Sequence, residues 1–119
     1  MKILVIEDDP SHRKLAHHVL DAAGYNVNGA EAAENAIALI MADKPQLILL
    51  DLELPGMDGL TLVRKLKTDP ETCDIHIVAV TSYPERFPKS ILLEAGCEAY
   101  IQKPIDTRKL PEQLGKLMK

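Results

Sequence analysis

Carboxylate side chains follow two apolar runs of the sequence. Glu7 and Asp8 come directly after residues 3–6, and Asp51 comes directly after residues 47–50. Two carboxylates about 4 Å apart repel by roughly 4 kcal/mol at an effective dielectric constant near 20, so three in one crevice take up protons or bind a cation. Oxygen ligands at a partly open site favour Mg²⁺, which retains water and accepts phosphate oxygens. Asp51 is then the candidate nucleophile, because a carboxylate can form an aspartyl phosphate.

A hydroxyl and an ammonium group follow two further apolar runs. Thr81 and Ser82 come after residues 75–80, and Lys103 comes after residues 99–102. A cation and Lys103 would take the charge of a phosphoryl group, and the Thr81 hydroxyl would donate to one of its oxygens. Each residue alone has an ordinary structural explanation, since Thr favours strands and a Lys before Pro commonly lies in a turn. Their shared position after apolar runs predicts a phosphoryl site.

Strand-like apolar runs alternate with segments of helical periodicity, which predicts a parallel sheet with helices on both faces. Right-handed crossovers leave few topologies, and we expect a doubly wound, flavodoxin-like α/β fold of five strands in the order 2-1-3-4-5. This order makes the first and third strands neighbours, so that Glu7 and Asp8 come close to Asp51. The predicted strands are residues 2–6, 25–29, 46–50, 75–80 and 99–102, and the predicted helices are residues 10–23, 32–42, 58–68, 88–95 and 107–118.

The composition restricts the class of protein. With 119 residues, of which 46% are hydrophobic, we expect one domain over residues 1–119 with a sizeable core. The net charge of −4 argues against binding to a nucleic-acid backbone, which needs clustered Lys and Arg. The first apolar run is too short for a signal sequence or a membrane span, and Cys73 and Cys97 lack metal-binding spacing. We therefore expect a cytoplasmic protein with reduced thiols and, because the chain ends with its fifth predicted helix, no effector domain.

The sequence resembles the receiver domain of two-component response regulators over essentially its whole length. The matching motifs are residues 3–10, residues 49–52 with residues 54–59, residues 80–82 and residues 100–104. The resemblance implies a phosphoacceptor signalling domain that assists its own phosphorylation and dephosphorylation, and not an enzyme that turns over an external substrate. The implied partners are a histidine kinase or a histidine phosphotransfer protein, and a downstream protein target. The expected state is a monomer or a phosphorylation-dependent dimer, without direct nucleic-acid binding or membrane insertion.

The resemblance also implies a role for each acidic residue. Asp51 would accept the phosphoryl group. Asp8 and Asp51 would ligate Mg²⁺, or Mn²⁺ in its place, directly, Glu7 would do so through water, and Glu53 would contribute its backbone carbonyl. Glu7 stands where the family more often has Asp, although the charge is the same.

The remaining implied roles concern signalling. Lys103 would contact a phosphoryl oxygen, and its peptide bond to Pro104 would be cis, a form that costs an X–Pro bond only about 0.5–1 kcal/mol. Thr81 and Tyr100 would be a switch pair that couples Asp51 to the face formed by the fourth helix, the fifth strand and the fifth helix. Phosphorylation would change the population of two conformations of that face.

Two prolines distinguish the segment after the fourth strand. Pro84 and Pro88 lack backbone N–H groups and resist interior helix positions, so we expect a fourth helix that begins at about residue 88 and a non-helical loop over residues 83–87. Phe87, the sole Phe, then has two alternatives. It is either exposed on the switch face as an anchor for a partner, or it folds back onto residues 91–92 as part of the core.

Three other functions are alternatives to a phosphoacceptor domain. A Mg²⁺-dependent phosphohydrolase would also use Asp51 as nucleophile, with Glu53 as general acid. A flavin binder needs a phosphate loop after the first strand, where the acidic run would repel the phosphate. A degenerate receiver that only binds proteins is at odds with the intact site. The histidines at positions 12, 17, 18 and 76 have no i,i+4 pair and are expected to be ordinary surface or packing residues.

Overall fold

The computed structural model describes residues 1–117 as five strands that alternate with five helices. The strands are β1 (Lys2–Ile6), β2 (Asn26–Ala30), β3 (Leu47–Asp51), β4 (His76–Thr81) and β5 (Ala99–Gln102). The helices are α1 (Pro10–Ala22), α2 (Ala33–Ala42), α3 (Gly59–Thr68), α4 (Lys89–Ala95) and α5 (Leu110–Leu117). The predicted number, type and order of the elements are confirmed.

The start of α5 differs from the prediction. The helix begins at Leu110 and not at residue 107, because Pro111 lacks an N–H and is tolerated only in the first turn. A turn precedes it, in which Asp106 Oδ1 accepts the backbone N–H of Arg108 at 3.0 Å. Residue 118, the last of the predicted helix, lies outside the described residues.

The five strands form one parallel sheet in the order β2-β1-β3-β4-β5, as predicted. Ile6 of β1 pairs with Leu50 of β3, and Asp51 pairs with Val80 of β4. The carboxyl ends of these strands are therefore level with one another, which places the residues that follow them along one edge of the sheet.

Alternate residues of each strand point to opposite faces, and this splits the core into two layers. In β3, Leu47 and Leu49 pack with residues of α1 and α5, whereas Ile48 and Leu50 pack with residues of α2, α3 and α4. All five residues of β3 are buried. Burial of one Leu side chain stabilises a fold by roughly 1.5–3 kcal/mol, so the central strand anchors Asp51 firmly.

The loop after β4 is non-helical, as predicted. The backbone N–H groups of Arg86 and Phe87 donate to the carbonyls of Tyr83 and Pro84, which closes a turn ahead of α4. Pro88 is the N-cap of α4, so the helix begins at Lys89, one residue after the predicted start. Phe87 is partly buried and packs against the core layer of α2, α3 and α4, which favours the core alternative for this side chain.

No helix within residues 1–117 is both long enough and apolar enough to span a membrane.

Candidate functional site

Three carboxylates meet at the carboxyl ends of β1 and β3. Glu7, Asp8 and Asp51 each offer an oxygen, and these atoms all lie within 4.8 Å of one another. Glu7 and Asp51 are buried, with 5% and 4% of their surface exposed, whereas Asp8 is exposed. The adjacency of β1 and β3 therefore brings these carboxylates into one acidic pocket.

Lys103 reaches this pocket from the end of β5. Its Nζ lies 2.6 Å from Glu7 Oε1 and 3.1 Å from Asp51 Oδ2, and the Lys103–Pro104 peptide bond is cis. Burial alone would lower the pKa of Lys103, but its hydrogen bonds to the two carboxylates raise it above the ordinary value. The ammonium is thus charged and pairs with both acids.

The two buried carboxyls differ in acidity. Burial, and then the hydrogen bond with Asp51, raise the pKa of Glu7 to about 7, against an opposing effect of Lys103. Burial would raise the pKa of Asp51 as well, but hydrogen bonds from Glu7, the Glu53 backbone N–H and Lys103 hold it below the ordinary value. Asp51 is therefore the ionised carboxylate of the pair, the state that a nucleophile requires.

Thr81, at the end of β4, is fully buried, and its hydroxyl both donates and accepts a hydrogen bond. It donates to Glu53 Oε1 at 3.2 Å, and the Ser82 backbone N–H donates to the same oxygen at 2.8 Å. The Tyr83 N–H in turn donates to Thr81 Oγ1 at 2.9 Å. The backbone N–H of Glu53 donates to Asp51 Oδ1 at 2.9 Å. Glu53 thus links the end of β3 to the end of β4 through both its backbone and its side chain.

Tyr100 lies on β5, next to β4. It pairs in register with Ala79, two residues before Thr81, and its half-buried side chain packs against the core layer of α2, α3 and α4. The sheet therefore places Thr81 and Tyr100 on adjacent strands.

Sequence reasoning missed two neighbours of Glu7. His12 Nδ1 lies 3.2 Å from Glu7 Oε1, and Arg13 Nη1 donates to the Glu7 backbone carbonyl at 2.8 Å. The sequence signal for them was the N-cap of α1. Asp9 Oδ1 accepts the Ser11 N–H at 2.8 Å, so only three residues separate β1 from α1, and the helix folds back beside the strand. The first turn of α1 then faces the end of β1, and residues five and six positions after Glu7 return to it.

A cavity of about 370 Å³ opens beside the acidic pocket, between α1 and α5. Its wall contains Glu7, Asp51, Lys103 and His12, together with apolar residues of α1 and α5, of the strands β1, β3 and β4, and of the segment that follows Lys103. Leu15 is one of them and is 51% exposed. The Asp51 carboxylate is thus buried in the fold but borders a cavity that a reactant could enter.

The acidic pocket fits a hard divalent cation. Its donors are all carboxylate oxygens, the ligands that Mg²⁺ prefers. Glu7 Oε2 is buried and has no hydrogen-bond partner among residues 1–117, which leaves one oxygen free for a water molecule or an ion. Such a buried acceptor without a partner is costly unless something binds it.

Comparison with known proteins gives the family. The model of the response regulator receiver domain matches residues 3–115. The phosphate regulon transcriptional regulatory protein PhoB of Pseudomonas aeruginosa is 41% identical over 94% of this chain and 49% of its own length. The polar-differentiation response regulator DivK of Brucella ovis is 32% identical over 94% of this chain and 91% of its own length. The chain thus spans about half of PhoB, 23% of the response regulator PleD of Caulobacter vibrioides and nearly all of DivK.

Solved structures give the same result. A putative response regulator from Chloroflexus aurantiacus superposes with a TM-score of 0.91 at 29% identity, over 98% of this chain and 96% of that chain. The chemotaxis response regulator CheY4 of Vibrio cholerae superposes with a TM-score of 0.88 at 25% identity, over 98% of this chain and 97% of that chain. By its sequence, its strand order and the set of residues at its strand ends, the chain belongs to the response regulator receiver domain family.

Proposed function

We propose that this chain accepts a phosphoryl group on Asp51 from a phosphohistidine of a histidine kinase or a histidine phosphotransfer protein. An Asp51 carboxylate oxygen attacks phosphorus, the bond between phosphorus and the imidazole nitrogen breaks, and the electron pair remains on that nitrogen. The observation that carries the proposal is the position of Asp51: its carboxylate is buried, lines the cavity, and has Oδ2 3.1 Å from Lys103 Nζ.

Divalent metal is part of this proposal. Asp8 and Asp51 would ligate Mg²⁺ or Mn²⁺ directly, Glu7 through water, and Glu53 through its backbone carbonyl. When bound, the ion supplies positive charge against the phosphoryl oxygens. Lys103 supplies a second positive charge from the side of β5, and its ammonium turns from the carboxylates to a phosphoryl oxygen once the group is transferred.

Movement of Thr81 would transmit the phosphorylation of Asp51 to the surface of the domain. Its buried hydroxyl moves to a phosphoryl oxygen, and Tyr100 on the adjacent strand turns further inward into the space that is vacated. This couples Asp51 to the face of α4, β5 and α5, which is a two-state population shift. A downstream protein target, or a second copy in a phosphorylation-dependent dimer, would bind the shifted face.

The chemistry is that of a signalling domain and not of an enzyme with an external substrate. A phosphohydrolase would need Glu53 as a free general acid, but its carboxylate oxygen already accepts hydrogen bonds from Thr81 and Ser82. The domain assists its own phosphorylation and dephosphorylation, because the groups that lie around Asp51 belong to the same chain. A cytoplasmic location remains a prediction.

Acetyl phosphate with Mg²⁺ tests the proposal. The wild type should gain one hydroxylamine-sensitive acyl phosphate by mass spectrometry, and Asp51→Asn should gain none. Asp74→Asn is the matched control, since Asp74 is an exposed partner of Lys44 far from the site. Asp8→Ala should still react but require more Mg²⁺. Full incorporation in Asp51→Asn would move the acceptor elsewhere, and repeated turnover of p-nitrophenyl phosphate would favour the phosphohydrolase.

A further inference from the structure

The Glu53 side chain accepts hydrogen bonds from two donors at the end of β4. One of its oxygens, Oε1, accepts from the Thr81 hydroxyl at 3.2 Å and from the Ser82 backbone N–H at 2.8 Å. Its other oxygen, Oε2, is buried without a partner among the described residues. An anionic carboxylate therefore lies across the donors that border the acceptor residue.

A phosphoryl oxygen on Asp51 would meet the same donors, because Thr81 is its expected hydroxyl partner and Ser82 lines the cavity that Asp51 borders. The hydroxyl of Thr81 has one proton, and the backbone N–H of Ser82 has one. A carboxylate and a phosphoryl oxygen are both acceptors without protons to offer, and both are negatively charged. If both anions accepted from the same two N–H and O–H groups, each hydrogen bond would be weakened, so one anion displaces the other.

The backbone fixes the position of this carboxylate relative to the acceptor. The Glu53 N–H donates to Asp51 Oδ1 at 2.9 Å, so the two residues are tied together at the end of β3. The Tyr83 N–H donates to Thr81 Oγ1 at 2.9 Å, which orients the lone pairs of that oxygen and leaves its proton for Glu53. The competing carboxylate thus belongs to a connected network and is not a loose surface contact.

We propose that the Glu53 carboxylate is an internal anion that competes with the phosphoryl group for Thr81 and Ser82, and so determines how tightly the site holds that group. The inference rests on the proposed phosphoacceptor function and adds a residue that sets its affinity. Glu53 acts through Thr81 and Ser82, so it is a positioning residue. When a phosphoryl group forms, the Glu53 side chain leaves these donors, and the unpartnered Oε2 shows that its present site satisfies it only in part.

Two substitutions separate the charge of Glu53 from its hydrogen bonds. Glu53→Ala removes both, whereas Glu53→Gln keeps an oxygen that accepts from Ser82 but has no charge. Hydrogen bonds to a neutral acceptor are roughly half as strong as those to a charged one. The affinity for a phosphoryl group should therefore increase from wild type to Glu53→Gln to Glu53→Ala. Glu85→Ala is the matched control, because Glu85 is an exposed acid in the loop that follows β4.

The experiment measures the affinity of beryllofluoride, a phosphoryl mimic, by ¹⁹F NMR in saturating MgCl₂. Glu53→Ala should bind it at least about tenfold more tightly than wild type, the factor that corresponds to one lost charge-assisted hydrogen bond. Glu85→Ala should stay within about twofold, the change expected for an exposed charge. The Ser82 amide proton, followed in the same variants without Mg²⁺, should move upfield when the carboxylate is removed.

The outcomes separate this inference from the function on which it rests. Equal or weaker beryllofluoride binding by both Glu53 variants, with wild-type binding intact, would overturn the competition and leave the phosphoacceptor standing. An equal gain in Glu85→Ala would also overturn it, because the effect would then be general electrostatics. If neither wild type nor any variant binds beryllofluoride or takes phosphate from acetyl phosphate, the proposed function fails and this inference fails with it.

Discussion

The Lys103 ammonium donates to the Glu7 carboxylate across 2.6 Å, which is shorter than its 3.1 Å contact with Asp51. The lysine is thus held mainly by Glu7. Since Glu7 retains a proton up to about pH 7, the net charge of this group of side chains changes with pH, and a bound cation would compete with that proton.

The stability of the metal-free protein should therefore depend on Glu7. The pKa of Glu7 is about 7 in the folded protein, against 4.5 as its ordinary value, so the folded state binds the proton more tightly than the unfolded state. The free energy of unfolding should fall as pH rises from about 4.5 to 7 and then level off. Asp51 has the opposite effect, because its pKa is lower in the folded protein than its ordinary value of 3.8. Its contribution to the free energy of unfolding is therefore lost as pH falls below 3.8.

Urea unfolding in EDTA at stepped pH measures this effect. Glu7→Gln cannot ionise, so the fall between pH 4.5 and 7 should be smaller in this variant than in wild type. Excess Mg²⁺ at pH 7 should restore much of the loss in wild type, because the cation replaces the proton. A difference between wild type and Glu7→Gln that is the same at every pH would contradict the assigned pKa.

Arg13 should hold Glu7 in place for the metal. Its guanidinium donates to the Glu7 carbonyl at 2.8 Å, and the Glu7 N–H donates to Ala30, so the backbone of this residue is fixed on both sides. Arg13→Ala should weaken Mg²⁺ binding roughly tenfold, as loss of a group behind a metal ligand commonly does. Isothermal titration calorimetry with MgCl₂ measures this, with the exposed neighbour Lys14→Ala as control.

A substitution at Gly29 tests the contact between Arg13 and Glu7 by displacing the arginine side chain. A methyl group at Gly29 would lie 3.1 Å from the Cδ atom of Arg13, so Gly29→Ala should push the arginine and weaken Mg²⁺ binding less than Arg13→Ala does. Unchanged Mg²⁺ affinity in both variants would mean that Arg13 serves packing only.

The residues at the strand ends could be predicted from the sequence because a parallel sheet aligns the carboxyl ends of its strands. Each of Glu7, Asp51, Thr81 and Lys103 follows an apolar run, and the right-handed connections leave few orders for those runs. Asp9 before Pro10 likewise marks the start of α1 unambiguously.

The side-chain contacts between elements could not be predicted in the same way. The Glu53 carboxylate reaches Thr81 because of the distance between β3 and β4 and the rotamer of a long side chain, and neither follows from a pattern of residue types. Arg13 and His12 are ordinary polar residues of a helical surface until α1 is packed against β1. Phe87 had two plausible environments, and only its packing against the core layer distinguishes them.

Gly59 should tolerate no side chain. A methyl group there would lie 2.7 Å from Leu52 Cα and 3.0 Å from the carbonyl oxygen of Asp51, so α3 or the end of β3 must shift. Gly59→Ala should lower the free energy of unfolding by about 1–3 kcal/mol, as overpacking does. It should also slow phosphorylation by acetyl phosphate, because the strain falls on Asp51.

Gly24 provides the control for Gly59. It has a positive φ of 96°, but a methyl group there would meet nothing within 4 Å. Gly24→Asn should lower stability through backbone strain alone, less than most other residues would, and should leave phosphorylation at the wild-type rate. Wild-type phosphorylation in Gly59→Ala would show that the end of β3 absorbs the extra methyl group without moving Asp51.

Phe87→Ala should cost stability and leave docking intact. The ring is partly buried against the core layer of α2, α3 and α4, so its removal should lower the free energy of unfolding by about 2 kcal/mol, less than the 3–5 kcal/mol of a fully buried Phe. Tyr83→Ala is the matched aromatic control, because Tyr83 is 47% exposed and its ring lies under the Arg86 guanidinium, 5.6 Å from the ring centre. Urea unfolding gives the stabilities, and sedimentation with beryllofluoride gives phosphorylation-dependent dimerisation. Unchanged stability together with weakened dimerisation in Phe87→Ala would make this ring a docking anchor, which its packing argues against.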